Sequence, residues 1–273
     1  MFYKEFKPSA VLQNYVDRYW VFDADVSDSY PMEHVLTPNG MDGLILQYHM
    51  ESPNAYRNLH LNITLPPNYV LVQPTAHWKL FIYASTRIAG IFFKPGILQR
   101  ILKYPMNLVA NQPVELDALI GNTFNEVCDQ MMEVDPATRI YLIERLLCRL
   151  LDTDRPYLTS YAETTARIIQ RCKGGVTISQ LSDELRVSRQ FITKQFTGQV
   201  GVSPKEYTQI VRFNAVHQYI ATRKSVRWTD VTYLFGYSDQ SHFIKEFRKY
   251  MGMLPTEYPI LNTEMANFYA GGA

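Results

Sequence analysis

The stretch "GVSPKEY" at 201–207 returns 51 residues later as "GMLPTEY" at 252–258. The match extends upstream. Phe196 and Phe247 each stand five residues before the glycine, and Lys194 and Lys245 keep the same offset. A phrase repeated in register is the mark of one supersecondary unit built twice, which narrows the fold more than any compositional figure.

Each copy has the same local grammar. In the first, Thr177 precedes "ISQLSDELR" with Gln180 three residues on, the capping-box spacing of a helix start. Ile178, Leu181 and Leu185 recur at helical spacing and face inward. A short turn at Arg186–Val187 leads to Ser188, the expected cap of a second helix, "RQFITKQFTGQV". There Ile192 and Phe196 pack inward, and Gln190, Thr193, Lys194 and Thr197 take the opposite face. Gly201 is suited to end that helix in the left-handed conformation, and Ser203-Pro204 with Glu206 starts another.

The second copy runs parallel. "WTDVTYLF" offers Val231, Leu234 and Phe235 to a core. Gly236-Tyr237 makes the turn, Ser238 is the expected cap, and Asp239 suits the positive end of the helix dipole. Phe243 and Phe247 repeat the inward pair, leaving Gln240, Ser241, Ile244, Lys245 and Arg248 on the other faces. Between the copies, "KEYTQIVRFNAVHQYIATRKS" predicts one longer helix with Ile210, Phe213, Val216 and Ile220 on a stripe.

Two short helices joined by a tight turn, the second presenting Gln, Thr, Ser and Lys, form a helix-turn-helix. Gln can address adenine, Lys can address guanine or phosphate, and small hydroxyls tolerate close approach to the major groove. Two such units on a rigid helix match successive major grooves, ~34 Å apart. Charge agrees with this. Residues 156–260 hold 14 Lys/Arg against 8 Asp/Glu, whereas residues 1–155 hold 13 against 17, so the basic half is the one suited to a polyanion.

The stretches "TISQLSDELRVSRQFITKQFTGQVGVSPKEY" and "GYSDQSHFIKEFRKYMGMLPTEY" make residues 156–260 resemble the DNA-binding domain of AraC/XylS-type bacterial transcription regulators. The second stretch carries the family's pattern of Gly-aromatic, Ser-Asp-Gln-Ser, two phenylalanines and Gly-x-x-Pro-x-x-Tyr. The resemblance implies base-reaching roles for Gln190, Thr193 and Lys194 in the first recognition helix and for Gln240, Ser241 and Lys245 in the second, with Arg248 beside them. Ser182 and Thr232 stand where many members carry alanine, and each fits if its hydroxyl bonds a carbonyl of its own helix. His242 is expected to pack or to approach phosphate and not to bind metal. Double-stranded DNA is the implied partner; RNA polymerase, a small-molecule effector and a second copy of the chain are further candidates.

The front half has another texture. Up to about residue 95, short β-rich runs ("YWVFDA", "GLILQYHM", "NITLPPNYVLVQP", "WKLFIYAS", "TRIAGIFFKPG") alternate with Pro, Asn, Gly and Asp clusters, which predicts an antiparallel sandwich or barrel. Residues 96–152 turn helical. "LTPNGMDGLILQY" and "GIFFKPGILQRIL" resemble the cupin-like sensor domain of some AraC-type regulators. Tyr19, Trp20, Phe22, Tyr48, Trp78, Phe81, Tyr83, Phe92 and Phe93 are available to line a ligand cavity, although filling a β core is the commoner use of such residues. In the helix at 137–152, Ile140, Ile143, Leu147 and Leu150, flanked by Leu146 and Leu151, make a stripe that serves equally as a subunit seam or as a face against its own β domain.

The expected fold class is therefore α+β in two domains. An N-terminal antiparallel β-sandwich or barrel, cupin-like and followed by helices, fills 1–155. An all-α domain with two helix-turn-helix units fills 156–260, and 261–273 is a tail. Enzymatic readings find little footing. His34, His49, His60 and His77 are scattered singly, so no metal or other cofactor is expected. No phosphate-cradling loop or nucleophile elbow is present. Cys128, Cys148 and Cys172 are isolated, which argues against a zinc-linked DNA-repair methyl acceptor and for reduced thiols in the cytoplasm. No apolar run is long enough for a membrane helix, and no export signal opens the chain. The rival readings are a small-molecule-binding cupin-like protein or enzyme whose helical domain serves mainly protein interaction.

Overall fold

The computed structural model describes residues 2–25, 32–50, 55–57, 62–82, 85–154, 156–223 and 225–258. His60, Tyr83 and the 261–273 tail lie outside them. Among the described residues, the first half contains ten strands: β1 (Phe2–Phe6), β2 (Val16–Ala24), β3 (Met32–Leu36), β4 (Asp42–Met50), β5 (Ala55–Arg57), β6 (Asn62–Thr64), β7 (Asn68–Leu71), β8 (Trp78–Ile82), β9 (Thr86–Phe93) and β10 (Pro113–Glu115). They form a six-stranded sheet in the order β1-β2-β9-β4-β7-β10 and a four-stranded sheet in the order β3-β8-β5-β6. Every pairing between these strands is antiparallel.

Strand alternation explains the layering. Along β2, Val16, Tyr19 and Val21 join one core, while Trp20, Phe22 and Ala24 join another. β7 divides the same way, with Val70 on one face and Tyr69 and Leu71 on the other, and β9 sets Ala89, Ile91 and Phe93 against Ile88 and Phe92. The large sheet is thus buried on both faces, which is why its strands read as nearly continuous apolar runs. One face meets the small sheet. The other meets helices α1 (Leu98–Leu102), α2 (Asp117–Ile120), α3 (Asn125–Met131) and α4 (Pro136–Leu151).

Trp20 fills the space between the sheets. It pairs in register with Gly90, where a Cβ atom would lie 2.0 Å from the indole ring, so glycine is required there. Among the described residues, Trp20, Leu36, Ile45 and Phe92 line a void of about 60 Å³ between the sheets, and most of the front-half aromatics are core filling. The α4 stripe has the same fate. Ile140, Ile143, Leu146 and Leu147 are buried in the first core, with Leu150 and Leu151 packed against it. Of the two uses open to that stripe, the intramolecular one is realised. Arg139 reinforces it, donating to the Met131 carbonyl at 3.0 Å, to the Tyr48 hydroxyl at 2.8 Å and to Asp23 at 3.2 Å.

The sequence expectation of an all-helical 96–152 segment needs one correction. Residues 113–115 form β10, an edge strand on β7 that pairs Val114 with Val70. Its proline sits on the edge of the sheet, where a missing N–H is tolerated.

The second half is helical: α5 (Tyr161–Arg171), α6 (Ile178–Leu185), α7 (Arg189–Val200), α8 (Pro204–Ala221), α9 (Trp228–Leu234) and α10 (Gln240–Met251). It holds two separate cores. The first gathers Ile169, Leu181, Ile192, Phe196 and Val200; the second gathers Val231, Tyr237, Phe243, Phe247 and Tyr250. α8 serves both, giving Tyr207 and Val211 to the first and Ile210, Phe213, Val216 and Ile220 to the second. Two faces of one helix therefore carry two units.

Candidate nucleic-acid interface

α6–α7 and α9–α10 are the two helix-turn-helix units, and α8 is the strut between them. The caps of the first unit form as the spacing predicts. Thr177 and Gln180 close a capping box, Ser188 accepts from the Phe191 amide at 3.1 Å, and Gly201 takes φ +94° after α7. Ser203 caps α8, with Pro204 in its first turn.

The second unit departs from expectation at its cap. Asp239, not Ser238, accepts the His242 amide at 2.8 Å, and Ser238 donates to the Asp239 carboxylate at 2.9 Å. The cause is one extra residue in the turn. In the first unit only Val187 separates the left-handed Arg186 from the capping serine; in the second, Tyr237 and Ser238 separate the left-handed Gly236 from Asp239. The hydrogen bond donated by the His242 backbone N–H holds the Asp239 carboxyl below the usual carboxylate range. Leu234 also differs from expectation: it is 60% exposed, because the inward face of α9 runs through Val231 and Thr232 and leaves Leu234 on the flank. The two alanine-site hydroxyls diverge as well. Thr232 bonds the Trp228 carbonyl of its own helix at 2.9 Å, whereas Ser182 reaches the Val187 carbonyl at 2.6 Å and closes the turn beyond its helix.

The shifted cap changes which residues correspond. Counting from Ser188 and Asp239, Gln240 matches Arg189, Ser241 matches Gln190, Ile244 matches Thr193, Lys245 matches Lys194 and Arg248 matches Thr197. Arg189, absent from the sequence-based set, is exposed at the first position of α7 and donates to Ser179 at 2.8 Å. An offset of 51 applied through the turn would have found it. Gln190, Thr193 and Lys194 are exposed on α7, as are Gln240, Ser241, Lys245 and Arg248 on α10. Thr193 returns its hydroxyl hydrogen to the Arg189 carbonyl at 2.9 Å, so it faces outward as an acceptor and a methyl group. The opposite faces, through Ile192 and Phe196 or Phe243 and Phe247, are fully buried. His242 packs edge-on against Tyr237, with Nε2 3.7 Å from Glu246.

The β domain grips both units at the same place. Gly201, ending α7, lies where a Cβ atom would come within 2.8 Å of Val72 and 3.3 Å of Ala110. Gly252, ending α10, lies where a Cβ atom would come within 2.7 Å of the His77 ring. His77 turns both its backbone N–H, at 3.2 Å, and Nδ1, at 3.0 Å, to the Lys249 carbonyl near the end of α10. A carbonyl only accepts, so Nδ1 carries the proton. A third contact is ionic: Arg100 pairs with Glu163 on α5, which also accepts from Tyr157. Replacing Gly252 by alanine is expected to cost about 1 kcal/mol or more, since φ is +79° and the His77 ring must move. Hydrogen exchange would show the loss at the His77 amide, ahead of any loss in the α10 core.

Sequence comparisons place these units. A helix-turn-helix domain model matches residues 181–259, and a model of a domain of unknown function matches residues 4–115. Residues 181–259 therefore carry a helix-turn-helix domain. Over 91 residues, 33% of this chain, it is 31% identical to the probable transcriptional regulator LumQ of Photobacterium leiognathi. Over 110 residues, 38% of the chain, it is 28% identical to the helix-turn-helix-type transcriptional regulator YbfI of Bacillus subtilis. The chain spans 36% and 38% of the lengths of these two relatives. Among solved structures, ToxT of Vibrio cholerae aligns over 96% of this chain and 99% of its own, at 11% identity and a TM-score of 0.48. Among the described residues, no helix is long and apolar enough to cross a membrane, and no three His, Cys, Asp or Glu side chains are grouped to hold a metal ion.

Proposed function

We propose that the chain is a sequence-specific DNA-binding transcription regulator that sets α7 and α10 into successive major grooves. The observation that carries this reading is the matched pair of exposed faces. Gln190 and Lys194 on one helix and Ser241 and Lys245 on the other stand at equal distances from equivalent caps, on two cores that share one strut. Lys and Arg contacts to phosphate supply most of the affinity and its salt dependence, and the outward Gln, Thr, Ser and Lys side chains supply base discrimination. The protein acts in the cytoplasm without catalysing a reaction; RNA polymerase and a second copy of the chain are its further partners.

Control comes from the front domain, through a small-molecule effector. Among the described residues, the void between the sheets is about 60 Å³, whereas a cleft of about 460 Å³ opens at the domain boundary and is the better fit for such a ligand. Asn14, Asp17 and Lys94 line it from one side, and Glu163, Arg167 and Gln170 of α5 line it from the other. A ligand there touches both domains, so it can bias how the DNA-binding half is held.

Replacing Lys245 by alanine is expected to weaken DNA binding and to relax preference at one base pair by ~1–3 kcal/mol. Fluorescence anisotropy on duplexes with single-base changes measures both effects. Unchanged preference at every position would remove Lys245 from base reading, and binding that ignores salt concentration would favour a protein-interaction role for the helical domain.

A further inference from the structure

The second unit contains a charged network that the first lacks. Glu246 lies between Lys245 and Phe247 on α10 and is 5% exposed. It accepts from Arg212 of α8 through Nη2 at 2.7 Å and Nε at 3.3 Å, and from the Tyr237 hydroxyl at 2.7 Å. The Arg212 guanidinium lies 4.1 Å from the centre of the Tyr237 ring. One carboxylate therefore ties together the strut, the turn and the recognition helix. At the matching places the first unit has Val187, packed on its core, and Gln195, which accepts from Gln199 along its own helix.

The network is also anchored to the first unit. Gly174, in the loop after α5, sits so close to α8 that a Cβ atom would lie 2.7 Å from the Arg212 backbone nitrogen and 2.4 Å from the Thr208 carbonyl. Arg212 thus holds α10 through its side chain at the point where its backbone is held by the other half of the domain.

Burying such a pair contributes little net stability, because desolvation offsets the attraction. Its bidentate geometry, however, fixes direction in a way apolar packing does not. Rotation of α10 about the second core would move Lys245, the neighbour of Glu246, relative to α7. We propose that Arg212 and Glu246 are positioning residues that fix the angle of α10 on the linker helix, and thereby set the spacing between half-elements that the protein accepts on DNA. This rests on the DNA-binding reading above.

The test uses the full chain and duplexes that the wild-type protein selects from a random pool, remade with the gap between half-elements lengthened or shortened by one base pair. The wild type is expected to lose about tenfold in affinity on either change, comparable to a poor base pair. The Arg212→Met/Glu246→Leu double variant, in which an apolar pair replaces the charged one, is expected to lose most of that discrimination, while its thermal unfolding falls by no more than the lost acceptor of the buried Tyr237 hydroxyl requires. Arg212→Lys, which keeps charge but not the fork, is expected to fall between. Glu246→Gln, closest in shape to the native residue, provides the same readout if the double variant does not fold. A folded variant with the wild-type spacing profile overturns the proposal alone. A wild-type chain that selects no DNA overturns the underlying reading, and the proposal with it.

Discussion

Replacing Phe247 by alanine is expected to remove roughly 3–5 kcal/mol of stability, and to remove it from the second helix-turn-helix unit selectively. Phe247 is fully buried among aromatic rings. Its centroid lies 5.7 Å from Trp228, 5.8 Å from Phe213, 5.7 Å from Phe243 and 5.9 Å from Tyr258, so truncation leaves a cavity walled by stiff side chains that collapse poorly. None of these neighbours belongs to the core built around Phe196 and Tyr207, whose rings meet at 5.2 Å. Hydrogen exchange should therefore show α9 and α10 deprotected while α6 and α7 keep most of their protection, and Phe196→Ala should do the reverse. On DNA, Phe247→Ala should lose contact with one half-element and keep the other. Equal loss of protection in both units would mean one cooperative core, contrary to the division described here.

Asp42 carries the second large effect. It begins β4, is 0% exposed, and accepts from the Gln73 side chain at 3.0 Å through one oxygen, while the other is buried with no partner among the described residues. Gln73 is itself fully buried with φ +39°, in the segment that runs from Val72, against Gly201, to His77, against Gly252. Desolvation lifts the Asp42 carboxyl from 3.8 to about 7. With the folded value above the unfolded one, the group's favourable contribution is complete below about pH 4 and is lost as pH rises through about 7. Above that, the native state holds a buried charge whose penalty is roughly 4 kcal/mol. Asp42→Asn keeps the shape and removes the titration. The variant should therefore gain on the wild type steadily from about pH 4 to about pH 7 in chemical denaturation, levelling off above that at about this margin. A difference that stays flat with pH would show Asp42 charged and solvated in the native protein.

The sequence was most informative where the rule is local. Thr177 with Gln180, Ser188, Gly201 and Ser203-Pro204 all act through neighbours within four residues, and each cap forms as spacing predicts. The exception, Ser238 for Asp239, arose because the offset of 51 that relates Lys194 to Lys245 was not carried back to the cap; the second turn is one residue longer, and Arg189 was missed with it. Short edge strands such as β1 and β10 were missed because three to five residues carry too little alternation to stand out. The network on Glu246 and the closeness of Val72 and His77 to the repeated glycines are pairings across long stretches of chain, invisible to any local pattern. Gly201 was legible as a helix end; that it and its repeat, Gly252, both receive the β domain was not.

The central claim is that two copies of one unit, held by one helix, read two neighbouring faces of a duplex. Selection of bound sequences from random double-stranded DNA by the full chain tests it most directly. The account predicts enrichment of two short half-elements separated by about one helical turn. Enrichment of a single short element, or of none, would contradict it.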